Sequence, residues 1–519
     1  MAGRIRALLL GCAALVVLFG CRGPSHETVV LVSLDTLHVR ATGPYNPAVA
    51  TTPSLDWFAA HGVRFASAWS QASQTLPSHT SILSGLEPAR HGALLNGDHV
   101  RDEVFTLPEI LREHGFATAA FISLGVLRPA FGLDQGFDSY DAGGGSTAGR
   151  TFRSAGEVIA AVESWWANRP EGRIFLWVHL SDPHSPYLAP GSPPDTELRL
   201  DGDPVGRYLL AGRARHAPLL ELAPGEHRLT WLPLRDALRL RLLEPERWSS
   251  LLAEGTTRPE EIELRAPYTL HLTNRGERSL RLRLPFRGRL EDPPRSAVRA
   301  AYAAEVAYAD EHLGRLRALI SPDGDLDGGL DGALWILVSD HGEGLFRHEV
   351  LAHAPYVFED QLRALWILAG EGLPQGRTAE ADGALLTDVA PTVLELLGLP
   401  VPGDLDGRSR VDCWSGAGCA GRSTWWAYGA DVGRRRATGV AVYAPPLKCL
   451  WHLAPSSGCF RLAEDPWETR NLAATEAPAV RAILPEIERR RTALEAALAA
   501  GPAPAPEDLE MLRDLGYVD

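Results

Sequence analysis

Four stretches of this chain end an apolar run on side chains suited to holding a cation or attacking an electrophile. Asp35 directly follows Val29–Leu34. Asp340 and His341, in Ser339-Asp340-His341-Gly342-Glu343-Gly344, directly follow Leu334–Val338, and His353 comes shortly after. The run Ile174–Leu180 leads into Asp182 and His184. In Gln74-Thr75-Leu76-Pro77-Ser78-His79 the proline suits the first turn of a helix, which sets Thr75 at or just before its start. Carboxylate and imidazole together suit a hard-to-borderline divalent cation, and the nitrogen ligand favours zinc or manganese over calcium. Free N–H groups and the helix dipole at Thr75 favour an anionic group beside its hydroxyl. Taken singly, Asp35 and Thr75 also read as helix caps and His184 as a loop histidine. Four such clusters in one α/β arrangement favour a site over four coincidences.

The elements that must position these residues are buried strands alternating with helices. Val29–Leu34, Ala117–Ile122, Ile174–Leu180 and Leu334–Val338 are continuous apolar runs, and Pro53–His61, Leu107–His114 and Ala297–Leu319 read as helices. Strands buried on both faces indicate an α/β fold with a largely parallel sheet, whose ligands bind beyond the carboxyl ends of the strands. Residues 191–294 have another texture. Segments such as Leu238-Arg-Leu-Arg-Leu242, Tyr268-Thr-Leu-His-Leu272 and Leu280-Arg-Leu-Arg-Leu284 alternate at period two, the pattern of half-exposed antiparallel strands. A β-sandwich-like insertion is expected there, dividing the catalytic unit into 28–190 and 295–399. Its role is substrate or glycan contact, or equally a structural cap. A small α+β subdomain over 400–475, then a helix from Ala477 to Ala500, an Ala/Pro linker and a short tail complete the chain at 476–519.

A chain of 519 residues holds more than one structural unit, and its 45% hydrophobic and 22% charged content is that of a globular protein. The net charge of −14 argues against nucleic acid and against docking on anionic lipid. Lys448 is the single lysine. Residues 1–21 read as an export signal: Arg4 and Arg6, then Ala7–Phe19, too short a run to cross a bilayer comfortably. The close at Cys21 resembles a bacterial lipoprotein signal, which implies a lipidated Cys21, membrane attachment and a place in the cell envelope; plain export and an uncleaved anchor are the alternatives. Four further cysteines lie near the C-terminal end. Of the three pairings they allow, local Cys413–Cys419 and Cys449–Cys459 disulfides are preferred.

The motifs VSLDTL, TTPSLDWFAAHGVRF, TLPSHTSILSGLEPARHG, GLDQGFDSYD, VHLSDPHSPY, AEVAYADEHLGRL, SDHGEG and DPWETRNL occur in this order, and Leu512-Arg-Asp-Leu-Gly-Tyr517-Val518 closes the chain. The set resembles the bacterial sulfatase-like branch of the alkaline phosphatase superfamily over residues 28–474, the insertion excepted. The resemblance implies an alkaline phosphatase-like α/β/α sandwich. It also implies a metal site of Asp35, Thr75, Asp340 and His341, with Thr75 both ligand and nucleophile. His184 and His353, with Asp182, match residues that bind a second metal or the substrate oxyanion, and Asn96 matches an asparagine that bonds the transferred group. One or two divalent ions are implied: zinc, with manganese or calcium as alternatives.

The departures from that pattern bear on the chemistry. Where formylglycine sulfatases carry C/S-x-P-x-R, this chain has Thr75 and, in place of the arginine, His79. Threonine carries a β-methyl group and cannot become formylglycine, and the lysines typical of sulfatase sites are lacking. The expected activity is therefore hydrolysis of phosphate or phosphonate esters. The alternatives are sulfate ester hydrolysis, transfer of a phospho-group to lipid or glycan, and a non-catalytic binding lipoprotein.

Overall fold

The computed structural model describes residues 26–143, 152–185, 187, 196–208, 215–216, 219–233, 238–242, 251–252, 261–264, 267–283, 286–290, 295–322, 330, 332–415, 418–453, 457–472, 477–515 and 517–518. Residues 1–21, where an export signal ending at Cys21 is expected, lie outside the described residues. Among the described residues no helix is long and apolar enough to cross a membrane.

The main sheet has eight strands: β1 (Thr28–Leu34), β2 (Gly62–Phe65), β3 (Ala117–Phe121), β4 (Ser139–Asp141), β5 (Ile174–Leu180), β6 (Ala333–Ser339), β7 (Trp366–Ala369) and β8 (Arg377–Ala379). Their order is β8-β2-β7-β6-β1-β5-β3-β4. Only β7 runs against its neighbours; every other pairing is parallel. Central β1 is buried from end to end after Thr28, as a strand covered on both faces must be. Its alternate residues enter two cores. Val29 and Leu31 join Phe175, Ile336 and the helices α2 (Thr75–Ser84) and α3 (Leu107–Glu113). Val30, Val32 and Leu34 join Leu176 and Leu337, together with α1 (Pro53–Ala60), α4 (Ala155–Trp166) and α5 (Arg295–Ile320). The sheet is thus sandwiched between helical layers, the alkaline phosphatase-like α/β architecture.

Register delivers the site. Leu34 pairs with Ser339 on one side and Leu180 on the other, so three central strands end level. The next residues, Asp35 and Asp340, therefore emerge side by side at the carboxyl edge, where an α/β sheet binds ligands.

Between Thr196 and Leu290 the described segments are antiparallel strands, forming two four-stranded sheets and a two-stranded ladder. Leu198, Leu229, Trp231, Leu270 and Leu272 share one apolar cluster, the buried face of the period-two pattern. Beyond the main sheet, Trp425–Asp431, Arg436–Ala444, Leu447–His452 and Gly458–Phe460 form an antiparallel sheet. Helix α6 (Ala477–Ala500) packs on that sheet. Disulfides join Cys413 to Cys419 and Cys449 to Cys459. After the linker the short tail holds a helix, α7 (Pro506–Asp514), which buries Met511 and Leu512 in the main core.

The single lysine fastens the C-terminal sheet to the catalytic unit. Lys448 is fully buried. Its Nζ lies 2.9 Å from Val357 O, 3.1 Å from Glu359 Oε1 and 2.7 Å from Glu468 Oε1. Trp69 Nε1 and Tyr443 OH also donate to Glu359. Removing one member of such a group strands the others without compensation. Lys448→Met is expected to destabilise the fold by about 3–5 kcal/mol, read as a lower urea midpoint. A midpoint unchanged from the parent's would show that the pair contributes nothing net.

Candidate active site

Asp35 and Asp340 are both fully buried, as is His341. Oxygen or nitrogen atoms of all three lie within 4.8 Å of one another. The turn that aims them is strained. Thr36, a β-branched residue, takes φ +55°, a conformation such residues seldom adopt, and three bonds hold it there. Its N–H donates to Asp340 Oδ1 at 3.1 Å, its hydroxyl to Asp35 O at 2.7 Å, and Tyr302 OH donates to its carbonyl at 2.8 Å. On the opposite strand His341 N donates to Asp340 Oδ1 at 2.8 Å. Gly342 permits this turn to press on its neighbour, since a Cβ there would stand 2.1 Å from Asp360 O.

The electrostatics of the group call for a cation. Burial pushes the Asp340 carboxyl well above its ordinary range, and the neighbouring charge of Asp35 adds to the shift. Burial opposes ionisation of Asp35 as well, but the hydrogen bond from His179 and the nearby imidazoles outweigh it and hold that carboxyl low. Burial lowers His341 to about 3, so its ring is neutral. Its Nδ1 faces Gly342 O at 3.1 Å and so carries the proton. Nε2 then carries the lone pair, lies 3.2 Å from Asp340 Oδ2 and has no hydrogen-bond partner among the described residues. Asp35 Oδ1 is likewise buried without a hydrogen-bond partner among the described residues. Charge on both carboxyls is opposed by burial and mutual repulsion when they stand alone, and with the imidazole lone pair it is complementary to a divalent ion. The residues present fit the implied metal.

Thr75 is the first residue of α2 and is fully buried. Ser78, one turn on, places its hydroxyl 2.9 Å from Thr75 O and 3.2 Å from Asp340 Oδ2, tying the helix start to the acidic group. Asn96 Oδ1 accepts from Leu76 N at 2.8 Å, and its buried Nδ2 has no partner among the described residues. A preorganised donor beside Thr75 is what a developing oxyanion requires. His79 stands 3.7 Å from Asp340 Oδ2. Burial lowers it to about 3, so it brings no charge there, and it bonds Thr75 O at 2.8 Å and Ser33 Oγ at 3.0 Å.

His184 and His353 meet edge to face with ring centres 5.0 Å apart, and the His353 ring centre lies 4.6 Å from that of His341. Burial lowers both, His353 to about 4. Asp182 does not join the converging donors. Both its oxygens accept from Ala155 N, at 2.9 and 3.0 Å, where it caps α4. Burial raises it to about 7.

Three residues not singled out as site residues from the sequence also belong here. His179 holds Asp35 Oδ2 at 3.1 Å. Glu343, raised to about 8 by burial, lies 3.5 Å from His353 Nδ1. Tyr517, from the last residues of the chain, reaches His184, His353 and Thr75. Glu343 was within view, two residues after His341 in a glycine-flanked motif; His179 and Tyr517 carried no local signal.

A family model described as Sulfatase matches residues 27–399. The chain belongs to the sulfatase family. It is a hydrolase of the alkaline phosphatase superfamily, whose sulfatase-like members use divalent metal ions. Among relatives, an N-acetylglucosamine-6-O-sulfatase of Bacteroides thetaiotaomicron is 24% identical over 433 residues, 78% of this chain and 74% of that protein. A multifunctional alkaline phosphatase superfamily protein of Trinickia caryophylli is 37% identical over 113 residues, 22% of this chain and 21% of its own. The crystal structure of a phosphonate monoester hydrolase of Agrobacterium radiobacter superposes with TM-score 0.58 at 17% identity, covering 91% of this chain and 96% of that one. Both sulfatases and a phosphorus ester hydrolase thus share this sulfatase fold.

Proposed function

We propose that this sulfatase-family protein hydrolyses phosphate or phosphonate esters with the Thr75 hydroxyl as nucleophile. One observation carries the reading: the head of α2, where Thr75 stands, is tied through Ser78 to the buried group of Asp35, Asp340 and His341. Asp35, Asp340 and His341 would hold a divalent ion, zinc by the choice of ligands, whose positive charge would bring the Thr75 hydroxyl pKa toward neutrality.

Thr75 gives its proton to solvent and its oxygen attacks phosphorus in line, opposite the ester oxygen, which takes a proton from water as the alcohol departs. The ester bond breaks as the Thr75–phosphorus bond forms, giving a phosphothreonine. Asn96 Nδ2 and the N–H groups at the helix head donate to the peripheral oxygens. His184 and His353 then orient the water that releases phosphate and restores the hydroxyl. Phosphorus is favoured over sulfur because a threonine sulfate ester lacks the carbon–oxygen cleavage that formylglycine permits. The sulfatase relative keeps sulfate esters as the second reading.

A panel of aryl phosphate monoesters, diesters, phosphonates and sulfates, assayed with zinc, manganese or calcium, tests the proposal. Turnover of a phosphorus ester is expected to exceed that of every sulfate. Sulfate turnover far above all phosphorus esters would overturn the substrate class and leave the role of Thr75 to its own experiment.

A further inference from the structure

Lysine and arginine are the usual partners of a phosphate or sulfate oxygen. This chain has one lysine, buried in ion pairs with Glu359 and Glu468, and at position 79 a histidine whose ring nitrogens already meet Thr75 O and Ser33 Oγ. Another donor occupies the site. The Tyr517 hydroxyl lies 3.5 Å from Thr75 Oγ1, 3.1 Å from His184 Nε2 and 3.1 Å from His353 Nε2. His184 Nδ1 is held by Ser185 O at 2.6 Å, so its Nε2 presents a lone pair and the phenol donates to it.

The position is built rather than incidental. Leu512 is fully buried and packs on the turn that carries Asn96: a Cβ on Gly97 would meet Leu512 Cδ1 at 2.9 Å. Asp508 pairs with Arg128, and Tyr517 N donates to Leu512 O at 2.9 Å. Leu515, Tyr517 and Val518 pack against the main core. The segment that delivers the phenol therefore rests on the segment that delivers Asn96. A hydroxyl in contact with the nucleophile's oxygen stands at the edge of the seat any reacting group must take.

The geometry points to Tyr517 as a further catalytic residue: its hydroxyl donates a hydrogen bond to an oxygen of the group that Thr75 attacks, doing there what a cationic side chain does elsewhere. When an ester occupies the seat, the phenol turns its proton from His184 to that oxygen, and His184 is freed to meet water. The inference rests on the Thr75-centred reading.

Tyr517→Phe keeps the ring and its packing and removes only the donor. Its kcat is expected to fall about 10²-fold, the scale of losing one oxyanion donor, at an unchanged melting midpoint. Inorganic phosphate serves as a probe that needs no turnover. Titrated by calorimetry into Thr75→Ala and into the Thr75→Ala/Tyr517→Phe double variant, it is expected to bind the double variant about tenfold more weakly, the scale of a hydrogen bond to a charged group. Equal or tighter phosphate binding in the double variant would make Tyr517 a mere occupant of the seat and sink the assignment. Retained turnover in Thr75→Ala would instead remove the nucleophile reading, while the phosphate titration would still judge Tyr517.

Discussion

Thr75→Ala is expected to lose at least about 10⁴-fold in kcat, the scale at which removing a nucleophile disables a covalent mechanism. The fold has little reason to object. The backbone carbonyl of Thr75, which Ser78 and His79 contact, survives the change, and the hydroxyl's one hydrogen-bond neighbour among the described residues is Tyr517 at 3.5 Å. Alanine at the first helical position is at least as compatible with α2 as threonine. The melting midpoint should therefore stay within a degree or two of the parent's, about what a change of a few tenths of a kcal/mol produces. Thr75→Ser separates chemistry from shape, because it restores the hydroxyl without the methyl group. It is expected to recover much of the lost rate, and acid-quenched protein should then carry the phospho-group on that residue by mass spectrometry. Turnover within tenfold of the parent in Thr75→Ala would dismiss the threonine as nucleophile.

Much of this site could be read from the sequence because parallel strands share a register. Val29–Leu34 and Leu334–Val338 announce themselves as buried strands, and whatever follows each must surface at the same edge. That places Asp35 beside Asp340 without knowledge of any contact. Local spacing likewise sufficed for the two disulfides. The reasoning fails where a role depends on pairing across the chain. His179 lies inside a buried strand and reads as core until β5 is set beside β1, with His179 opposite Ser33 and its ring against Asp35. Asp182 has a ligand's chemistry and a ligand's position, yet the start of α4 uses its carboxylate as a cap. Tyr517 meets Thr75 across 442 residues, and nothing in Leu512–Val518 alone says which surface it will find.

Stripping the divalent ion is expected to abolish turnover and to destabilise the protein, and Asp340→Asn is expected to uncouple the two effects. In the metal-free parent, charge on Asp340 is opposed by burial in a dry site and by repulsion from Asp35. A bound ion removes that repulsion, and binding to the folded state alone stabilises it by about 4 kcal/mol when the ion is at a thousand times its Kd. Chelation should therefore lower the parent's melting midpoint by several degrees, and zinc should restore both stability and turnover. The substituted amide would keep an oxygen to accept from Thr36 N, but it lacks the charge that binds the ion. The variant should be inactive, retain little metal on elemental analysis, and melt at the same temperature with or without chelator. Relative to the metal-free parent it should be no less stable, because the amide carries no charge for burial and Asp35 to oppose. The comparison separates an ion that acts at these residues from one bound elsewhere, since an ion held at another place would still stabilise the asparagine variant. Turnover and melting that ignore chelator in the parent would leave the buried carboxylates without the role assigned to them.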